Sequence, residues 1–273
     1  MGESKVELIR EGAVAQLRFE NPPRHTLTSE MVLQMSSQIA ELGGDSAVRV
    51  VVLRSATPGV FITHYEVGEL SGIAEGRRAV DPTQTGDTGG ESPRLHPMHE
   101  LILQLEALDA VTVAAMDGLA MGGGLELALG CDFRVMRDGQ HVVALPETGV
   151  GIIPGAGGTQ RLARMLGTAR ALDLILHGEM LPPRRALELG ILSRVYPAER
   201  FDAELSAFVT NLAERAPIAL VQAKRAIRQG VELPLREGLA LEQAAFGRTM
   251  ASEDARAAMK AYLKGERYTF KGE

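Results

Sequence analysis

The chain has 273 residues, of which 45% are hydrophobic and 23% charged, and a formal net charge of −6. This balance is ordinary for a globular domain, and the acidic excess argues against a broad nucleic-acid surface, which needs clustered Lys and Arg. The N-terminal segment lacks an apolar signal core, and no apolar run approaches the roughly 18 residues of a membrane span. The single cysteine, Cys131, cannot form an internal disulfide, so we expect a cytoplasmic protein. The charge and the lack of long apolar runs lead us to expect neither a nucleic-acid nor a membrane partner.

The first part of the chain predicts strands, a helix and a further strand. Residues 6–20 alternate polar and apolar side chains around a turn, which is typical of two short strands. A helix is predicted over about residues 30–42, capped by Thr28 or Ser29. Residues 48–53 form a nearly continuous apolar run, as in a buried parallel strand. This order favours an α/β sheet.

The middle of the chain changes character several times. Residues 73–95 are rich in Gly, Pro, Thr and charge, which predicts a mobile surface loop. A helix over about residues 98–107 and a buried strand over 111–116 follow. Two short strands are predicted at residues 133–136 and 142–145.

The last hundred residues are predicted to be mainly helical, with acidic residues in the first turn of the final helix. The predicted helices cover residues 159–166, 168–176, 183–189, 200–215, 217–230, 234–249 and 252–264. We therefore predict an α/β core over residues 1–200 and a helical C-terminal region over residues 201–273.

Three consecutive glycines, Gly122, Gly123 and Gly124, follow the strand predicted at 111–116 and open a helix. Their amides carry no hindering side chain, and a helix N-terminus adds partial positive charge, so the segment can hold a developing oxyanion. Glu126 disfavours a phosphate there, but its carboxylate can move a proton or orient water. The alternative is a glycine-packed contact between helix and strand with a solvated Glu126, and composition alone does not choose between the two.

A second carboxylate, Glu147, follows the strand predicted at 142–145. Ligands of α/β sheets bind at the carboxyl ends of strands, although a single glutamate at such a position is more often a surface residue or a helix cap. Two carboxylates at comparable strand ends favour a paired acid/base site.

Other motifs are excluded by their spacing. Residues 155–161 lack the Lys-Ser/Thr ending of a P-loop, and neither a dinucleotide-binding GxGxxG nor a GxSxG nucleophile elbow is present. His96 and His99 flank Pro97 without a nearby third ligand, so we interpret them as surface histidines and expect no metal.

Two segments together resemble the enoyl-CoA hydratase/isomerase (crotonase) family. Residues 116–128 read MDGLAMGGGLELA and precede Cys131 and Asp132, and residues 145–162 read LPETGVGIIPGAGGTQRL. The likeness extends to residues 50–54, to residues 186–195 and to the helical tail. It implies ββα units with two roughly perpendicular sheets, and a C-terminal helical region that builds a homotrimer or a dimer of trimers.

The resemblance also implies an oxyanion hole, in which two backbone N–H groups hold the thioester carbonyl. One would come from Gly123, and Tyr65 lies at the position of the other. The segment around Tyr65 reads FITHYE instead of the small residues that are usual there. Thr63, His64 and Tyr65 would therefore reshape the entrance. His64 is either an added polar group near the substrate or, as we favour, a residue of the rim.

The likeness implies roles for both glutamates and for the CoA contacts. Glu126 would act as base toward a water molecule and Glu147 would supply the proton at C2. Arg24 is expected to contact the CoA phosphates. Thr63, His64, Gly122 and Gly124 complete the predicted binding residues. No cofactor is expected, since coenzyme A is part of the substrate.

Hydration of a 2-enoyl-CoA is the predicted reaction, because both glutamates are present and isomerases of the family usually lack one. The altered segment keeps isomerisation, or another specialised acyl-CoA lyase or hydrolase reaction, as the alternative. A non-catalytic acyl-CoA binder is disfavoured by the two carboxylates.

Overall fold

The computed structural model describes residues 4–76 and 95–273. Its strands are β1 (Lys5–Glu11), β2 (Val14–Glu20), β3 (Val50–Ser55), β4 (Gly59–Ile62), β5 (Val111–Met116), β6 (Gly118–Met121), β7 (Phe133–Arg137), β8 (Val143–Ala144) and β9 (Arg194–Tyr196). Its helices are α1 (Ser29–Leu42), α2 (Val67–Ala74), α3 (Pro97–Ala107), α4 (Gly123–Leu129), α5 (Gly158–Leu166), α6 (Thr168–His177), α7 (Pro183–Glu188), α8 (Phe201–Ala213), α9 (Pro217–Gly230), α10 (Leu235–Met250) and α11 (Glu253–Leu263). The predicted α/β fold with C-terminal helices is confirmed.

Two sheets carry the described strands. The larger has six strands in the order β1-β2-β3-β5-β7-β9, and the smaller has three in the order β4-β6-β8. Among the described strand pairs, β1 and β2 are antiparallel and the remaining pairs are parallel. Every residue of β5 is buried, which is the continuous apolar pattern expected of a parallel strand covered on both faces.

The six-stranded sheet lies between two apolar clusters. Val51 and Leu53 of β3 face the larger cluster, which includes α1 and α3. Val50 and Val52 face the smaller cluster, where Phe201 of α8 is fully buried. This alternation follows from the two-residue period of a strand. Helix α8, the first helix of the C-terminal region, packs on the sheet and is a layer of the core. The predicted boundary between an α/β core and a helical C-terminal region at residue 200 stays a prediction.

The sequence did not predict four short elements: β4, β6, β9 and α2. The strands have four residues or fewer, which is too short for a clear period. Helix α2 contains Gly68 and Gly72, and glycine is a poor helix former. The surface loop predicted over residues 73–95 was placed too early, because α2 ends at Ala74. The part of that prediction over residues 77–94 lies outside the described residues.

None of the helices in the described ranges combines the length and the apolar composition needed to cross a bilayer. Elements β4, β6 and β8 bring three chain segments to one place. Each is followed by residues of the predicted site, at 63–65, 122–124 and 147. The smaller sheet therefore positions the residues that the sequence singled out.

Candidate active site

The strand ends of the smaller sheet border a cavity of about 540 Å³. Its polar lining residues are His64, Tyr65, His96, Glu126 and Glu147. Its apolar lining includes Val67, Leu70, Ile73, Met98, Met121, Val150, Ile152 and Ile153. Hollows of about 660 and 860 Å³ lie elsewhere near α9, and both include Arg225, which is ion-paired with Asp109. Because it contains the buried Glu126 and the half-buried Glu147, the cavity of about 540 Å³ is the candidate active site.

Glu126 lies in the first turns of α4 and is only 2% exposed. Its Oε1 atom accepts hydrogen bonds from the backbone N–H groups of Ala156 at 2.7 Å and Gly158 at 2.8 Å. Burial raises the pKa of this carboxyl group, and the two N–H donors oppose that shift. The alternative of a solvated Glu126 is therefore wrong, and the glycine-rich segment at 155–158 holds the carboxylate instead of a phosphate.

Glu147 begins a short 3₁₀ turn directly after β8. Its Oε2 atom is buried and has no hydrogen-bond partner among the described residues. Burial and, to a smaller extent, the negative charge of Glu126 together raise the pKa of Glu147 to about 7. A buried carboxyl oxygen without a donor favours the neutral acid.

The two glutamates thus have contrasting surroundings. Burial raises the pKa of both groups, but two N–H donors on one oxygen oppose that shift at Glu126, whereas Glu147 has an oxygen without a donor among the described residues. Such a difference separates a general base from a general acid when two carboxyl groups share one cavity. The arrangement can therefore take a proton from one group and supply a proton to another.

The three consecutive glycines have different surroundings. Gly122 has a φ of +49°, and a Cβ atom there would lie 3.0 Å from Glu147 Oε1. A Cβ atom on Gly123 would lie 3.6 Å from the backbone nitrogen of Tyr65. One on Gly124 would lie 2.6 Å from the carbonyl oxygen of Ile62. Gly122 and Gly123 line the cavity, while Gly124 packs α4 on β4, so the packing interpretation holds for this third glycine.

The backbone at Tyr65 is held in an extended bridge beside Leu27. The N–H of Leu27 donates to the His64 carbonyl at 2.9 Å, and the N–H of Glu66 donates to the Leu27 carbonyl at 2.8 Å. In an extended chain alternate peptide groups face opposite sides. The N–H of Tyr65 therefore faces away from Leu27, on the side where Gly123 lies.

The Tyr65 side chain ties this segment to two helices. Its hydroxyl lies 2.9 Å from Ser29 Oγ at the start of α1 and donates to Glu69 of α2 at 3.1 Å. Ser29 also hydrogen-bonds to Glu69. The Tyr65 ring meets the His96 ring edge-on, with the centroids 6.3 Å apart. The tyrosine thus forms part of the cavity wall and also anchors its own backbone.

The other predicted binding residues are placed unevenly. His64 lines the cavity and its Nδ1 atom lies 2.7 Å from the Tyr65 carbonyl oxygen. Thr63 and Arg24 are absent from the described lining, and the Thr63 hydroxyl donates to the Arg24 carbonyl at 2.9 Å. The exposed Arg24 side chain pairs with Glu66 at 3.2 Å. Their roles as CoA contacts stay predictions.

The interpretation of His96 as a surface residue is wrong. His96 lines the cavity, caps α3 by accepting the Met98 N–H at 3.2 Å, and is half-buried, as is His99. Burial lowers the pKa of His96. The Pro97-Met98 pair after it is a helix-start pattern that the sequence did contain, but the contact with the cavity depends on how α3 packs.

Substitution Gly124→Ala should destabilise the protein by about 1 to 3 kcal/mol, the usual cost of overpacking. The added methyl group would meet Ile62 backbone and side-chain atoms at 2.6 and 2.7 Å and push α4 away from β4. Because Gly123 moves with α4, catalytic activity should fall as well. Urea unfolding at fixed protein concentration measures the first effect.

The matched control for that experiment is Gly247→Ala in α10, where a Cβ atom would meet nothing within 4 Å. Alanine favours a helix by up to about 1 kcal/mol relative to glycine. The control should therefore be neutral or slightly stabilising. Equal stability of the two variants would show that Gly124 is not a packing requirement.

Comparisons with known proteins agree with this geometry. The family model for enoyl-CoA hydratase/isomerase matches residues 10–273. The human mitochondrial methylglutaconyl-CoA hydratase is 32% identical over 92% of this chain and 71% of its own length. The short-chain-enoyl-CoA hydratase of Clostridium acetobutylicum is 29% identical over 96% and 95%. The crystal structure of enoyl-CoA hydratase from Bacillus anthracis superposes with a TM-score of 0.87, at 27% identity over 98% and 99% of the two chains.

Proposed function

Because the chain belongs to the enoyl-CoA hydratase/isomerase family, we propose that it hydrates the 2,3 double bond of a 2-enoyl-CoA. The observation that carries this proposal is the unequal pair of glutamates in one cavity, with Glu126 held by two N–H donors and Glu147 by none at Oε2. Hydration needs a base for water and an acid for carbon at the same time. The pair offers both.

In the proposed reaction the thioester oxygen accepts hydrogen bonds from the N–H groups of Gly123 and Tyr65. Glu126 takes a proton from water, and the water oxygen forms its bond to C3. The electron pair of the double bond moves toward C2 and the thioester oxygen, where the two amides stabilise the enolate. Glu147 then transfers its proton to C2, so that one water is added in total.

The finer predictions about binding and assembly belong to the same proposal. We place Arg24, Thr63 and His64 at the CoA end of the site, with Gly122 and Gly124 supporting the oxyanion hole. We also propose a homotrimer or a dimer of trimers, which the exposed apolar side chains of the tail support, such as Phe246, Tyr262 and Leu263. A cytoplasmic location stays a prediction.

Isomerisation of a 3-enoyl-CoA is the second candidate. It is favoured by the segment at 63–65, where Thr63, His64 and Tyr65 stand in place of the small residues usual in the family. The Tyr65 hydroxyl is bound to Ser29 and Glu69, so the larger side chain is accommodated by its own contacts.

The deciding experiment supplies crotonyl-CoA and 2-hexenoyl-CoA, and separately a 3-enoyl-CoA, to the purified protein. Hydration is followed by the loss of the absorbance of the conjugated thioester. Turnover of the 2-enoyl thioesters at a higher kcat/KM supports the hydratase. Faster turnover of the 3-enoyl thioester assigns the isomerase, and binding without any turnover assigns a non-catalytic acyl-CoA protein.

The rate of hydration should fall as the pH rises through about 7. The raised pKa of Glu147 keeps this group protonated below that pH, and only the protonated form can supply the proton to C2. A profile of kcat against pH from 5.5 to 9 measures the effect. A rate that keeps increasing to pH 9 would rule out Glu147 as the acid, because the acid form would then be nearly absent.

A further inference from the structure

The walls of the cavity beyond the two glutamates are apolar over most of their area. Leu70 and Ile73 of α2 and Met98 of α3 contribute to one part of the lining, and Ile152 and Ile153 contribute to the segment after Glu147. Ile153 is 68% exposed and Ile152 is 46% exposed. An acyl chain that leaves the glutamates therefore meets hydrocarbon, and burying it there is favourable.

The described lining residues include no lysine or arginine. Two described arginines near the site, Arg24 and Arg161, already have acidic partners. Arg24 pairs with Glu66 at 3.2 Å, and Arg161 binds Glu106 at 2.8 Å and the Ala156 carbonyl at 3.2 Å.

The histidines of the lining are also occupied at one nitrogen. His96 accepts the Met98 N–H at Nδ1, and burial lowers its pKa and so favours the neutral ring. His64 uses Nδ1 for the Tyr65 carbonyl. A negative charge on the acyl group would therefore find no lysine or arginine among the described lining residues.

The acidic groups of the cavity are unfavourable for an acyl group that carries a negative charge. Glu126 and Glu147 both line it, and Glu126 is 2% exposed. The carboxylate of an acidic acyl group, placed between the glutamates and the apolar wall, would lose its water without gaining a counter-ion from the described lining. It would also be repelled by Glu126 across a region of low dielectric.

We propose that this cavity selects an uncharged, apolar acyl group and rejects one that ends in a carboxylate, an inference that rests on the proposed acyl-CoA function. The proposal distinguishes this chain from a relative such as methylglutaconyl-CoA hydratase, whose named substrate carries a free carboxylate.

The test uses two substrates that differ in charge but have similar shapes. Glutaconyl-CoA ends in a carboxylate at C5, and 5-methyl-2-hexenoyl-CoA carries two methyl groups on the same carbon. We expect kcat/KM to be at least about 100-fold higher for the branched, uncharged substrate, since an apolar pocket strongly disfavours an unpaired charge. A ratio within about threefold of unity would overturn the proposal.

Binding of unreactive analogues separates this inference from the hydratase assignment. Glutaryl-CoA and 5-methylhexanoyl-CoA lack the double bond, so calorimetric titration measures their affinities whether or not the protein hydrates anything. Tighter binding of 5-methylhexanoyl-CoA by about 100-fold supports the inference even if no 2-enoyl-CoA is turned over. Equal affinities contradict it even if hydration is fast.

A gain-of-function variant locates the acyl chain. Leu70→Lys places a cation in the α2 part of the lining, and Leu70→Met is the matched control with a long uncharged side chain. We expect the lysine variant to raise the relative affinity for glutaryl-CoA at least tenfold, and the methionine variant to leave it unchanged. Circular dichroism checks that both fold. If the folded Leu70→Lys variant has an unchanged affinity for glutaryl-CoA relative to 5-methylhexanoyl-CoA, the acyl chain does not lie along α2. That result would overturn its placement there.

Discussion

Glu126→Gln is expected to lower kcat for hydration by about 10² to 10⁴, the range for loss of a general base. Both N–H donors, from Ala156 and Gly158, converge on a single carboxylate oxygen. The amide oxygen of glutamine can accept both of them, so the local fold should be retained. The variant therefore removes basicity while it preserves the contacts that hold the side chain. Single-turnover kinetics with a 2-enoyl-CoA measures the loss.

Two comparisons make this result interpretable. Glu100→Gln on the exposed start of α3 is the control for loss of one negative charge, and its kcat should be unchanged. Glu126→Asp keeps the charge but shortens the side chain, which should break the bonds to Ala156 and Gly158. If Glu126→Gln folds and keeps more than about a tenth of the wild-type kcat, another group must activate the water.

Glu147→Gln is expected to lose activity and gain stability at the same time. Its kcat should fall by about 10² to 10⁴, because the amide cannot supply a proton to C2. The folded-state pKa of Glu147 is raised from 4.5 to about 7. Stability from the protonated group is complete below pH 4.5 and is lost as the pH rises through 7. The glutamine variant does not ionise, so it avoids this loss.

At pH 8 the free energy of unfolding of Glu147→Gln should exceed that of the wild type by about 1 to 3 kcal/mol, a range reduced for the partial exposure of the side chain. At pH 5 the gain should be much smaller, because Glu147 is then protonated in the folded protein. Urea unfolding at both pH values and one protein concentration measures the difference. A gain that is the same at the two pH values would show that ionisation of Glu147 is not its source.

Most of the helices and strands that were predicted correctly are marked by patterns of residues close together in the sequence. The six buried residues of β5 form an apolar run that is visible in the sequence, and the start of α1 is marked by Thr28, which accepts the Met31 N–H. Both signals arise between residues that are close along the chain. Helix α2 was missed because Gly68 and Gly72 weaken the helical pattern, although Glu66 caps its first turn.

Some features of the candidate site are likewise visible in the sequence, whereas others depend on contacts in the tertiary structure. The residues Glu126 and Glu147 and the run of three glycines are chemical facts of the sequence, and the family likeness of the segments around them is confirmed by the comparisons. Tyr65 was placed beside Gly123 by that likeness alone. Its bonds to Ser29 and Glu69 could not be read from the sequence, because they join residues up to 36 positions apart.

The sequence by itself therefore determined the family, the order of the main helices and strands, and the chemical types available for catalysis. Only the tertiary structure decided how the two carboxyl groups differ. Glu126 accepts hydrogen bonds from N–H groups about 30 residues away in the chain, and Glu147 has a buried oxygen for which the described part of the chain offers no donor. Burial and hydrogen bonding between distant segments set pKa values, and they also set the apolar wall that α2 and α3 place beside the glutamates.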